Sequence, residues 1–245
     1  LFTERGLSPE LDTGDPFSPL PILRYCIQAR AVELARLVLE QGARVDRVDE
    51  QGLGVMHEAV LSGSVPIVEL LASFGAEVNL DTLDRGDGQR TPLHLASEQG
   101  DTEMVDALLA LGADPSILNW RSESALHVAI FHKNQQIVPA LVTAGASIDL
   151  ERHDGKTPLH LAADRRQVGA LAYLLRAGAE VDPRDEEGWT PLAIACARGD
   201  AQIVEVLLAH GADPGHETEE DVRIRGNDVP AGSRADDIAR LLGQS

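Results

Sequence analysis

Apolar residues recur along this chain in short helical bursts. VDALLALGA (105–113), LAYLLRAGA (171–179) and VEVLLAHGA (204–212) place them three and four apart, the spacing of one helix face. Each burst ends in Gly-Ala, and that dipeptide recurs at 42–43, 75–76, 112–113, 145–146, 178–179 and 211–212. The intervals are 33, 37, 33, 33 and 33 residues. A second marker keeps the same phase: His57, His94, His127 and His160. Around it stand TPLHLA at 91–96, SALHVA at 124–129, TPLHLA at 157–162 and TPLAIA at 190–195. Self-similarity at such a period is the signature of stacked repeats. Each unit reads as two short antiparallel helices and an extended connector.

The polar positions support that reading. Thr91, Thr157 and Thr190 are predicted N-caps, and Pro92, Pro158 and Pro191 take the first helical position, where a missing N–H costs nothing. Ala96, Ala129, Ala162 and Ala195 keep the first helix slim, so that units approach closely. The leucine pairs 70–71, 108–109, 174–175 and 207–208 bury the second helix, which the glycine of each Gly-Ala then ends.

The pattern resembles the ankyrin repeat family, with its Thr-Pro-Leu-His-x-Ala signature, over roughly residues 21–222. The resemblance implies an all-α repeat solenoid: six helix–turn–helix units, starting near 21, 54, 91, 124, 157 and 190, joined by β-hairpin fingers around a concave face. It also implies a non-enzymatic module that binds a protein or peptide through that face and its fingers.

Departures from the pattern carry further expectations. The first unit has Arg24 at the His position and Cys26 at the Ala position, as a solubilising N-terminal cap would. Lys133 and Arg166 stand where Gly63, Gly100 and Gly199 turn between helices. A left-handed conformation costs a non-glycine residue about 1 kcal/mol or more, so distorted turns are expected in units four and five. Pro139 falls in the second helix of unit four and marks a soft point. Residues 1–17 read as an extended, partly disordered arm and 18–222 as the repeats. Within 223–245, a capping segment, Ser233 and Asp236 open a helix at about 234–242.

Composition narrows the function. With 21 basic and 40 acidic residues the formal charge is −19, which disfavours nucleic acid and leans towards a basic partner. No stretch approaches the ~18 apolar residues of a membrane span. Two cysteines and no glycosylation sequon point to an intracellular, cytoplasmic or nuclear monomer. The chain opens at Leu1 instead of Met, which favours an alternative reading: a regulatory section of a larger enzyme of palmitoyltransferase, kinase or phosphodiesterase type.

No cofactor, metal or catalytic residue is expected. Helices stack about 8–10 Å apart, while a zinc ion holds each imidazole nitrogen at roughly 2.0–2.1 Å. Successive repeat histidines therefore cannot share a metal. Asp81, Asp84 and Asp87 lack the order of a calcium loop, and Arg85-Gly86-Asp87 reads as a chance tripeptide. The surface remains. By the resemblance, Glu50, Gln51, Leu53, Trp120, Arg121, Glu186 and Trp189 fall on fingers. Leu61, Phe131, His132, Arg165 and Arg198 fall at exposed first-helix positions. The chain has eight aromatics, and both tryptophans and Phe131 are in this set. Interface anchors are enriched in Trp, Tyr and Arg, so a partner-binding centre is expected around Trp120, Phe131, His132 and Trp189.

Overall fold

The computed structural model describes residues 22–49, 52–82 and 89–215, with residues 222–224 and 227–229. Helices pair in chain order. The first unit of the chain, ending at Trp120, contains α1 (Ile22–Gln28) and α2 (Val32–Glu40), α3 (Val55–Ser62) and α4 (Val65–Ser73), then α5 (Pro92–Gln99) and α6 (Thr102–Ala110). The second unit, from Arg121, contains α7 (Ala125–Phe131) and α8 (Val138–Thr143), α9 (Pro158–Asp164) and α10 (Val168–Arg176), then α11 (Pro191–Arg198) and α12 (Ala201–Ala209). Two short antiparallel strands follow, β1 (Val222–Ile224) and β2 (Asn227–Val229), with Val222 opposite Val229. The expected capping helix at 234–242 and the arm at 1–17 lie outside the described residues.

Each core is built from aliphatic side chains. Leu23, Ile27, Met56, Ile67, Leu71, Leu93, Met104 and Leu108 are fully buried in the first unit, and Leu126, Ile130, Ile137 and Leu141 in the second. Ala96, Ala129, Ala162 and Ala195 are closed off completely, as a slim inner helix requires. The Gly-Ala glycines take φ between +85° and +99°, and the next amide bonds back into the helix, as Ala113 does to Leu108 at 2.9 Å.

Helix starts follow an exchange between cap and histidine. The Thr91 and Thr157 amides donate to Nδ1 of His94 and His160 at 3.2 and 3.1 Å, and their hydroxyls lie 2.9 Å from the same atoms. Where Ala193 replaces the histidine, the Thr190 hydroxyl is released and accepts the Ala193 amide at 3.2 Å. Asp101 and Asp200 cap α6 and α12 in the same manner.

The histidines also join consecutive helix pairs. With Nδ1 accepting an amide, the ring proton sits on Nε2, which donates to a carbonyl further along. His57 reaches Arg90, His127 reaches Leu150 and His160 reaches Trp189, at 3.0, 3.0 and 2.8 Å. Burial pushes the pKa of His127 and of His160 down to about 4 and lowers that of His57, so all three are neutral. Arg24 does the same work in the first pair. It is buried, donates to the Leu53 carbonyl at 2.7 Å and pairs with Glu58 at 3.1 Å and Asp49 at 3.5 Å.

Several expectations are corrected. Lys133 and Arg166 do adopt left-handed φ, +65° and +61°, as does Arg30 at +53°. The turns are not distorted, however. Asn134 bonds back to Ala129 as Ser64 does to Ala59, and the only visible price is that α7 and α9 end one residue earlier than α3, α5 and α11. Pro139, by contrast, acts as expected and breaks the regular second helix of unit four. A 3-10 turn at Gln135–Ile137 replaces the first α turn, and α8 begins beside the proline, where no amide donor is needed. The first helix pair is not polar outside: Tyr25, Leu34 and Leu37 are exposed.

Candidate interaction surface

The inner helices α7, α9 and α11 of the second unit end in side chains that meet across the repeats. The Arg165 guanidinium lies 3.8 Å above the centre of the Phe131 ring, and the His132 ring meets Phe131 edge-on at 5.2 Å between centroids. Asp164, beside Arg165, accepts from Arg198 Nε at 2.9 Å and from its Nη2, and faces Arg165 Nε at 3.7 Å. Arg166 donates to Asp200 at 2.9 Å, and that hydrogen bond holds the Asp200 carboxyl below its ordinary pKa. Phe131, His132, Arg165 and Arg198 thus form one ridge, with each ring or guanidinium held by its neighbour. Phe131 and Arg165 remain half-exposed and His132 and Arg198 exposed.

The second unit's fingers are tight turns. Arg152 donates to the Lys156 carbonyl and Asp185 to the Trp189 carbonyl, both at 3.0 Å, with Gly155 and Gly188 at positive φ. Successive fingers touch: the Glu186 amide donates to the Asp154 carbonyl at 3.2 Å. A Cβ at Gly155 would lie 2.6 Å from the Glu186 nitrogen, so glycine is required there. His153 Nδ1 sits 3.0 Å from the Arg121 carbonyl. Lys156 lies between Asp154 at 3.6 Å and the buried Asp185 at 3.7 Å, whose carboxyl pKa burial raises. Exposed Glu186 and Arg121 belong to this edge.

Trp189 does not. It is 3% exposed, at the base of its finger directly before the N-cap Thr190, and its carbonyl is the acceptor of His160. The sequence assigned it to a finger without separating tip from base, and the base turns inward. In the first unit, Trp120 is 48% and Leu61 50% exposed. Leu53 is half-buried, with its carbonyl taken by Arg24. Glu50, Gln51 and the Arg85-Gly86-Asp87 tripeptide lie outside the described residues. Asp164, which ties Arg198 to Arg165, was legible only as a surface position; its partners come from neighbouring repeats, 34 positions away for Arg198.

Cys26 and Cys196 are buried, and burial raises the Cys26 thiol pKa, so it stays protonated at neutral pH. Among the described residues no group of three or more His, Cys, Asp or Glu is placed to hold a metal ion, and no helix is long and apolar enough to cross a membrane.

Comparison with known proteins gives a consistent picture. Sequence profiles described as "Ankyrin repeats (3 copies)" match residues 80–152 and 126–218, and "Ankyrin repeats (many copies)" matches 18–72. Mouse protein phosphatase 1 regulatory subunit 27 is 33% identical over 97 residues, 40% of this chain and 60% of that protein. Zebrafish palmitoyltransferase ZDHHC17 is 35% identical over 105 residues, 43% of this chain and 16% of that protein. The chain therefore spans under two thirds of either relative. Among solved structures, the human ASB11 ankyrin repeat domain superposes with a TM-score of 0.70 at 25% identity, covering 91% of this chain and 96% of that one. By repeat period, helix pairing and profile match alike, this chain belongs to the ankyrin repeat family.

Proposed function

We propose that the chain is a protein-interaction module that holds a protein or peptide segment against the Phe131–Arg165–Arg198 ridge. Arg165 stacked on Phe131 carries this reading. An aromatic ring and a guanidinium, fixed before any partner arrives, lose little freedom on binding, and side chains of these types dominate interface energetics. On the first unit, taken by itself, Trp120 and Leu61 are exposed side chains of the kind that anchor a partner. The partner is basic in character, with an apolar or aromatic side chain for the ridge. The net charge of −19 attracts such a segment, and Glu151, Glu186 and Glu187 are exposed on the second unit's fingers. Asp164 lies against both ridge arginines and Asp200 against the neighbouring Arg166, which offsets part of the positive charge a basic segment meets there.

The test compares wild type with Phe131→Ser/Arg165→Ala in affinity capture and then titration of the captured partner. We expect at least a tenfold loss of affinity with an unchanged melting temperature. Full retention of affinity would remove the ridge from the interface.

The match to ZDHHC17 supports a second reading, in which the same module is the regulatory section of a larger enzyme. The complete reading frame that encodes Leu1–Ser245 decides it: a catalytic or membrane segment in that frame establishes this reading, and its absence removes it.

A further inference from the structure

Tyr25 on α1 and Leu34 and Leu37 on α2 are 53%, 57% and 57% exposed. The same repeat positions are buried or half-buried further along the chain. Leu34 corresponds to Ile67, Met104, Ala170 and Ile203, all 0–1% exposed, and Leu37 to Leu70 at 4% and to the half-buried Ala107, Ala140, Tyr173 and Val206. Tyr25 corresponds to Leu95, Leu161 and Ile194, at 4%, 3% and 8%. These positions look towards the preceding helix pair: Glu58, the equivalent of Tyr25 in the second pair, reaches back to Arg24 of the first at 3.1 Å. The first pair therefore carries an apolar face, at Tyr25, Leu34 and Leu37, that none of the described residues covers.

We propose that this face is covered by the chain's own residues 1–20. That segment leads directly into α1, and its tether supplies an effective concentration on the order of millimolar. Twenty residues reach roughly 60 Å when extended, against about 10 Å between neighbouring helices. The ankyrin profiles begin at residue 18, so all but the last three residues of the segment lie outside them. It supplies Phe2, Leu7, Leu11, Phe17 and Leu20 as apolar contacts. Four acidic residues against Arg5 make it net negative, in a chain whose surface is acidic. On α2 itself Arg36 stands against Glu33 and Glu40, so the apolar side chains and the tether, not charge, carry the docking. A second copy is the weaker occupant, because three side chains fall well short of the roughly 800 Å² per partner of a stable dimer.

The experiment places a photo-crosslinker in the full chain, Leu34→p-benzoyl-Phe, and maps the products by mass spectrometry at low and high protein concentration. We expect links within one chain to residues 1–20, with a yield independent of concentration. Links between copies that grow with concentration, or attachment only beyond residue 22, would overturn the proposal. A thermal cycle gives an independent readout. Leu7→Ser/Leu11→Ser/Phe17→Ser should lower the melting temperature by roughly 2–4 °C in the wild-type background. It should have no effect in a Leu34→Ser/Leu37→Ser background. Equal losses in both backgrounds, or none in either, would also overturn it.

Discussion

A single imidazole in this fold has both nitrogens committed: Nδ1 to the amide that opens its own helix, Nε2 to a carbonyl of a later repeat. A second ring proton would break the first bond and place a charge in the core. An imidazole that ionises near 6.5 in the unfolded chain but near 4 when folded binds fewer protons in the native state. Its contribution is therefore complete above about pH 6.5 and is lost as the pH falls from there to about 4. His127 and His160 each contribute about 3 kcal/mol by this route. Melting temperatures measured across pH should plateau at neutral pH and decline through that window, and His127→Gln/His160→Gln should flatten the decline. Arg24 predicts a different response. Removing one member of a buried ion pair costs roughly 3–5 kcal/mol, because the other charge is left without compensation. Arg24→Met, which leaves Glu58 and Asp49 facing apolar surface, should lower the denaturation midpoint accordingly; an unchanged midpoint would show that the three groups do not act as a pair.

At the scale of the helix pair, the strained positions are the three turns built on Arg30, Lys133 and Arg166. Arg166 recovers part of its cost through Asp200. Lys133 is the clearest site for relief: Lys133→Gly should raise stability by about 1 kcal/mol, and Gly100→Ala, the reverse experiment at an equivalent turn, should lower it by a similar amount. Chemical denaturation of the two variants checks both. The helix pairs themselves were legible because period, cap and Gly-Ala stop coincide in almost every unit. The lengths of α7 and α9 were not, since the hydrogen bonds of the turn tolerate a non-glycine residue that the sequence can only flag as costly. The break in the second helix of unit four was legible in Pro139; only its form, a 3-10 turn at Gln135–Ile137, was not. The ridge was half legible. The family resemblance located Phe131, Arg165 and Arg198 at exposed first-helix positions, but their stacking and the part of Asp164 depend on side-chain directions that a sequence pattern does not contain. Trp189 was misplaced for the same reason.

For the molecule as a whole, the excess of acidic groups acts at distances where individual side chains do not. A field of one sign accelerates the approach of an oppositely charged partner and is screened over about 8–10 Å at physiological salt. Association of the proposed basic partner should therefore slow at least tenfold between low and high ionic strength, while dissociation, governed by the ridge, changes little. Stopped-flow mixing at several salt concentrations separates the two, and a salt-independent association rate would remove charge from the recognition.

The first joint in the chain is closed by a guanidinium, where imidazoles close those made by His57, His127 and His160. A guanidinium keeps its proton under every condition in which the protein exists, but its half-buried partner Glu58, whose pKa burial raises, loses its charge in acid and leaves Arg24 uncompensated. Acidification should therefore loosen this joint along with the histidine joints, the first by removing a charge from the core and the others by adding one. Cleavage by an acid-active protease should accordingly reach the stretch from α1 to α3 as well as the histidine-linked segments.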